Sequence, residues 1–187
     1  MLLNSILYLL PMLVTSVAAA PHEKRSLQTG KTVYAYGMNI TGFPVYADQD
    51  GLAVVADPKN KNTELSTVTW TMDSVGALAW NVSFDARRDA SNVTQDTASF
   101  YILPDAGFAQ SGFTVNGSSP AAAETLGFVL YGRDVMFQSG DSLLSQFWAQ
   151  NTSDGYWNLV WNTDGDSVSN SVPVMLLTTD DADDESS

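Results

Sequence analysis

Short apolar runs rich in Val, Tyr, Phe and Trp, separated by Gly, Asn, Asp and Ser, extend from Lys31 to Leu177 and constrain the fold more than any other feature. Such runs are typical of β-strands joined by turns. The pattern predicts strands at 32–38, 43–47, 52–56, 67–72, 78–84, 98–103, 112–115, 126–131, 135–138, 145–149, 156–161 and 172–178. Helical periodicity is nearly absent, and only 121–126 is compatible with a short helical turn. The chain is therefore predicted to form one all-β domain.

A faint internal repeat indicates how the strands are arranged. The segment GFPVY at 42–46 resembles GFVLY at 127–131, and each precedes a strand with a central Trp, at Trp70 and Trp148. Two similar four-strand units fit a two-sheet β-sandwich of the Greek-key or jelly-roll type. A β-trefoil whose middle repeat has diverged is the alternative.

The first residues are predicted to be removed from the mature protein. Residues 1–19 contain an apolar stretch followed by small residues, which is typical of a secretory signal peptide. Pro11 interrupts the stretch, which is too short to span a bilayer as a helix. The pair Lys24-Arg25 then resembles a kexin-type processing site, so 20–25 is predicted to be a propeptide.

The mature chain is expected to comprise one domain at 26–178 and an acidic disordered tail at 179–187. The tail contains a run of Asp and Glu with too little apolar surface to fold. The whole chain has a net charge of −13, which disfavours nucleic acid as a partner.

Few groups that support catalysis are present. The chain has no Cys, and its one histidine, His22, lies in the predicted propeptide. Thiol nucleophiles, disulfides, His-based triads and imidazole metal sites are therefore excluded from the mature domain. Hydrolysis by two carboxylates is the remaining catalytic option, but Glu64 and Glu124 lie in polar loops. The residues thus favour a non-enzymatic protein.

No cofactor is predicted, and calcium is the only one that the sequence leaves open. Asp48 and Asp50, followed by Gly51, have the spacing of a calcium-ligand loop. Asp-Gly pairs between strands also form ordinary turns, and this simpler interpretation stays open.

Aromatic residues are the candidates for ligand binding. Exposed Trp and Tyr rings can stack on sugars, while buried ones pack in the core. The predicted ligand-binding residues are Trp148, Tyr156, Trp157 and Trp161. Trp157 and Trp161 lie on one face of their strand, so either that face or the opposite one must be core.

Five N-x-S/T sequons predict N-glycosylation at Asn39, Asn81, Asn92, Asn116 and Asn151. An occupied sequon faces water. Strand alternation then directs Val82 inward beside Asn81, and Tyr34, Tyr36 and Met38 inward on the face opposite Asn39. By the same reasoning Thr114 points outward with Asn116.

Several segments resemble a group of small secreted proteins of filamentous fungi. They are YGMNITGFPVY at 36–46, DGLA at 50–53, WNLVWN at 157–162 and the Pro-Val pair at 173–174. The resemblance extends from Tyr34 to Leu177 and implies secretion and a fungal origin. It carries over no site residues.

Together these features predict an extracellular glycoprotein that acts without catalysis at the cell wall or the host interface, as a wall component or an effector. Its expected partner is cell-wall polysaccharide or a host surface protein, and no membrane span is expected. The alternative is a carboxylate-dependent hydrolase that acts on polysaccharide.

Overall fold

The computed structural model describes residues 26–59, 64–85, 98–114 and 116–179, which form an all-β structure with antiparallel pairings throughout. The strands are β1 (Leu27–Lys31), β2 (Val33–Gly37), β3 (Ile40–Ala47), β4 (Ala53–Val55), β5 (Ser66–Asp73), β6 (Asn81–Phe84), β7 (Ala98–Tyr101), β8 (Phe108–Gln110), β9 (Gly112–Phe113), β10 (Phe128–Tyr131), β11 (Asp134–Ser139), β12 (Ser142–Leu144), β13 (Phe147–Asn151), β14 (Trp157–Asn162) and β15 (Ser171–Thr178). The all-β prediction is confirmed. Residues 121–126, the segment compatible with a helical turn, instead form a turn followed by an isolated β-bridge.

Six of the strands close into a barrel. Around the barrel the order is β2, β3, β4, β14, β13 and β15, and β15 pairs again with β2. Its interior is narrow, and small side chains such as Ala35, Ala53 and Ala149 are fully buried. A closed barrel leaves no unpaired edge among these six strands.

The other strands form an outer layer. Strand β5 has β6 on one edge, and on its other edge β3 pairs with its start and β1 with its end. The sheet continues from β6 to β7 and β9. Strands β10, β11 and β12 form a meander attached to β15, and β8 pairs with β14.

One hydrophobic core connects the barrel to the outer layer. Its largest members are aromatic rings in mutual contact: Trp70, Trp80, Phe100, Phe113, Phe128, Phe137, Phe147 and Trp161. Phe147 and Trp161 belong to the barrel strands β13 and β14. The aromatic cluster therefore fills the barrel at the end where these two residues lie. Such pairs contribute about 0.5–1.5 kcal/mol each beyond their buried area.

This architecture differs from the arrangement predicted by the internal repeat. A two-sheet β-sandwich is not confirmed, because the sheet closes on itself. A β-trefoil requires three equivalent units, whereas β2–β4 and β13–β15 supply the barrel and the middle of the chain supplies none of it. The predicted repeat pairs Trp70, in an outer strand, with Trp148, in a barrel strand, so it does not describe a structural duplication.

The predicted directions of the side chains are partly correct. Val82 is buried beside an exposed Asn81, as predicted. Val33 and Ala35 are the buried residues of β2, so Tyr36 is exposed and Tyr34 only half-buried, contrary to the prediction. Met38 is exposed because it lies in the turn after β2. Thr114 is buried, contrary to the prediction. Its buried hydroxyl oxygen is satisfied by a hydrogen bond that it accepts from the backbone N–H of Ser99 at 2.9 Å.

The predicted signal peptide, the propeptide, Asn92 and residues 180–187 of the predicted tail lie outside the described residues. Thr179, assigned to the tail, is described and donates its backbone N–H to the carbonyl of Thr32 at 3.0 Å. No stretch of the described ranges forms a helix with the length and apolarity needed to cross a bilayer.

Candidate ligand-binding site at the barrel end

A pocket of about 240 Å³ opens where several barrel strands begin or end. Its lining combines one indole, three amides, one hydroxyl and three apolar side chains. These belong to Met38, Asn39, Ala149, Asn151, Trp157, Asn170, Ser171 and Val172. We call this the barrel-end pocket. Barrel mouths are common ligand sites, because strand ends bring side chains from distant parts of the chain together.

Trp157 provides the aromatic wall. It is the first residue of β14, where it pairs with Val55 of β4 on one side and with Asn151 of β13 on the other. The Phe43 ring packs against its indole with centroids 5.7 Å apart and planes tilted by 40°. The indole is half-buried and held by a neighbouring ring, so part of its surface is available to a ligand.

Asparagine side chains supply the polar groups. Asn39, in the turn between β2 and β3, and Asn170, before β15, have positive φ angles of 63° and 60°. Asn tolerates this left-handed backbone conformation better than most residues. The backbone N–H of Asn151 donates to the carbonyl of Asn170 at 2.8 Å, which joins β13 to the start of β15. Each amide offers two N–H donors and one carbonyl acceptor.

The lining of the barrel-end pocket is uncharged, although the chain as a whole carries a net charge of −13. A field of this sign repels anions over most of the surface. An aromatic face next to neutral donors and acceptors suits a ligand that has both C–H faces and hydroxyl groups.

The structure separates the four predicted ligand-binding aromatics. Trp157 alone lines the barrel-end pocket. Trp148 is half-buried on the outer face of the barrel, paired with Pro173, and Tyr156 packs on a separate apolar cluster around Val54. Trp161 is fully buried between Phe rings. Its assignment as a ligand-binding residue is therefore corrected, because no ligand can reach the ring.

The Asp48–Asp50 loop is held by one carboxylate. Asp48 Oδ1 accepts the backbone N–H groups of Asp50 and Leu52 at 2.9 and 2.8 Å, closing the turn between β3 and β4. Burial raises the pKa of the Asp48 carboxyl, outweighing these hydrogen bonds. Burial also raises the pKa of Tyr101 and Tyr156, with the negative charge of Asp48 adding to each shift.

These contacts explain the Asp-x-Asp-Gly sequence as a turn. No group of three Asp, Glu or His side chains within the described ranges is arranged to hold a metal ion. Calcium at Asp48 and Asp50 stays a prediction. Glu64 and Glu124, the candidate catalytic carboxylates, are exposed and do not line the barrel-end pocket.

Four predicted glycosylation sites are described, and all four asparagines are exposed. Asn81 lies in β6 and Asn116 in the turn after β9. Asn39 and Asn151 instead line the barrel-end pocket. Two residues of the pocket were therefore singled out from the sequence, but as predicted glycosylation sites and not as ligand-binding residues.

No pattern in the sequence indicated that Met38, Ala149, Asn170, Ser171 and Val172 form part of a site. Val172 and Ser171 begin β15, which the hydrophobic pattern located almost correctly. The polar segment at 169–171 gives no signal of its own, because Ser and Asn before a strand normally indicate a turn.

The fold and the site define an all-β barrel protein with a neutral, amide-lined pocket at one barrel end. No protein-family model, curated protein or solved structure matches the chain.

Proposed function

We propose that this protein is a secreted, non-enzymatic fungal glycoprotein that binds a neutral polysaccharide at the cell wall or the host interface. The observation that carries the proposal is the position of Trp157 among Asn39, Asn151 and Asn170 in one pocket. The indole offers an apolar face to a sugar ring, and the amides offer hydrogen bonds to its hydroxyl groups.

Binding is favoured over cleavage by the chemistry of the pocket. Glycoside hydrolysis requires two carboxyl groups about 5–10 Å apart on either side of the scissile bond. The residues lining the barrel-end pocket include no carboxylate. The hydrolase alternative therefore finds no support at this site.

A retention assay with a matched Trp variant tests the proposal. The wild-type protein, Trp157→Ala and Trp148→Ala are produced without glycosylation in a bacterial host, so that Asn39 and Asn151 stay unmodified. Each is incubated with chitin, β-glucan and cellulose particles, and the bound fraction is measured. Trp148 is the control because it is also half-buried but lies on the outer face of the barrel.

We expect Trp157→Ala to weaken retention about tenfold, equivalent to about 1.4 kcal/mol, and Trp148→Ala to leave it unchanged. Circular dichroism must show that both variants keep the wild-type fold. Equal retention of wild-type and Trp157→Ala protein, or no retention of the wild type on any of the polymers, would contradict the proposal.

A further inference from the structure

Two sequons and the barrel-end pocket share residues. Asn39 and Asn151 line the pocket, and both asparagines are exposed, as are the hydroxyl residues of their sequons, Thr41 and Ser153. The folded protein therefore has space for a glycan on either asparagine. A sugar attached to the side-chain nitrogen of either asparagine is therefore anchored at the wall of the pocket.

The strand register places the attachment point next to the indole. Asn151 and Trp157 are directly opposite each other in the antiparallel β13–β14 pair. Side chains at such positions lie on the same face of the sheet, with Cβ atoms about 4.5–5.5 Å apart. The first sugar on Asn151 would thus lie within reach of the Trp157 ring, while a sugar on Asn39 would approach from the β2–β3 turn.

The pocket is too small for two occupants. Its volume of about 240 Å³ is smaller than the roughly 300–1,000 Å³ of pockets that enclose a whole drug-sized ligand, so it has room for one sugar ring of a polymer but not for a second ring beside it. One sugar ring at Asn151 would therefore compete with any ligand that stacks on Trp157.

We propose that N-linked glycans on Asn151 and Asn39 cover the barrel-end pocket and control access to it. In the modification, the side-chain amide nitrogen bonds to the anomeric carbon of a sugar carried on a lipid diphosphate. The bond from that carbon to the diphosphate oxygen breaks, the diphosphate leaves with the electron pair, and the amide loses one proton. Only molecules unmodified at both positions bind external polysaccharide, a consequence that rests on the proposed function.

The test removes sequons and keeps the asparagines. The full chain is secreted from a fungal host as Thr41→Ala/Ser153→Ala, which affects the pocket sequons. The matched control is Ser83→Ala/Ser118→Ala, which affects the sequons of Asn81 and Asn116, away from the pocket. Glycopeptide mass spectrometry measures the occupancy of each site in the wild-type protein.

The first readout needs no external ligand. All proteins carry Trp148→Phe, which leaves Trp157 as the half-buried tryptophan, because Trp70, Trp80 and Trp161 are buried. Acrylamide quenching of fluorescence then reports access to the Trp157 indole. We expect the pocket-sequon variant to be quenched more strongly than the wild type, and the control variant to be quenched equally.

The second readout is retention on β-glucan, chitin and cellulose particles. Apparent affinity scales with the fraction of binding-competent molecules, so a wild-type preparation with about one tenth unmodified molecules should gain about tenfold when the pocket sequons are removed. The control variant should gain nothing.

The outcomes separate the two proposals. The proposal that glycans cover the pocket would be refuted if Asn39 and Asn151 are unmodified in the secreted protein. It would also be refuted if acrylamide quenches all variants equally. Increased quenching without retention of any variant would support that covering and refute the proposed polysaccharide-binding function.

Discussion

Truncation of Trp161 should cost a large part of the stability of the fold, whereas truncation of Trp157 should not. The Trp161 side chain is fully buried, and its ring contacts Phe137 and Phe147 at centroid distances of 5.6 and 5.0 Å. A buried Trp removes up to about 250 Å² from water, which at about 25 cal/mol per Å² sets an upper bound near 6 kcal/mol. Measured Trp→Ala costs in cores are about 3–5 kcal/mol.

One feature lowers the expected cost of this substitution. The indole Nε1 of Trp161 is buried and donates to no acceptor among the described residues. Removal of this one unpaired buried donor recovers about 1 kcal/mol, against a mid-range cost of about 4 kcal/mol. We therefore expect Trp161→Ala to lower the free energy of unfolding by about 3 kcal/mol, against a total of about 5–15 kcal/mol for a domain.

Urea unfolding followed by far-ultraviolet circular dichroism measures this loss, with an unchanged m value indicating the same unfolded state. Trp157→Ala is the control and should cost less than about 2 kcal/mol, because that ring is only half-buried. A loss below about 1.5 kcal/mol for Trp161→Ala, or equal losses for both variants, would refute the assignment of Trp161 to the core.

Three further substitutions test the described contacts. Asp73→Ala should lower the unfolding free energy by at least about 2 kcal/mol, because buried Asp73 Oδ2 accepts two backbone N–H groups at 2.8 and 2.9 Å; thermal unfolding measures the loss, and an unchanged melting temperature would contradict it. Because the pKa of Asp48 is raised in the folded protein, its contribution to stability is present below the ordinary value of 3.8 and is lost as the pH rises through the folded pKa. Asp48→Asn should therefore flatten the pH dependence of unfolding above that value, and an identical pH profile would contradict the raised pKa of this half-buried carboxyl. Gly37→Ala should destabilise the closure of the barrel by about 1–3 kcal/mol, because a Cβ there would lie 2.7 Å from the carbonyl oxygen of Pro173. Urea unfolding measures the loss, and an unchanged free energy of unfolding would contradict this close approach of β2 and β15.

Hydrophobic patterning predicted the strands well where an alternating run was long enough. The runs around Trp70 and Leu176 fall in β5 and β15, close to their observed limits. It missed β1, β8 and β12, which are short and lack a clear alternation. A strand such as β8 (Phe108–Gln110) exists because its backbone meets the edge of β14, and such a contact between distant segments has no local sequence signal.

Prediction of the site was less complete for a related reason. Trp157 and Trp161 lie on the same face of β14, and alternation treats them alike. Phe137 of the outer layer and Phe147 of β13 pack against Trp161, while the barrel-end pocket lies open beside Trp157. Burial of a ring depends on what packs over it, which local periodicity does not specify.

The sequence by itself determined the secondary-structure class, the approximate positions of most strands and the absence of Cys from the chain, because these follow from composition and local patterning. Only the tertiary structure decided that the strands close into a barrel, that Asn39, Asn151 and Trp157 meet in one pocket, and that Trp161 is core. The physical reason is that strand pairing joins residues more than a hundred positions apart, and the energy of such contacts depends on the whole packed arrangement rather than on any local run of residues.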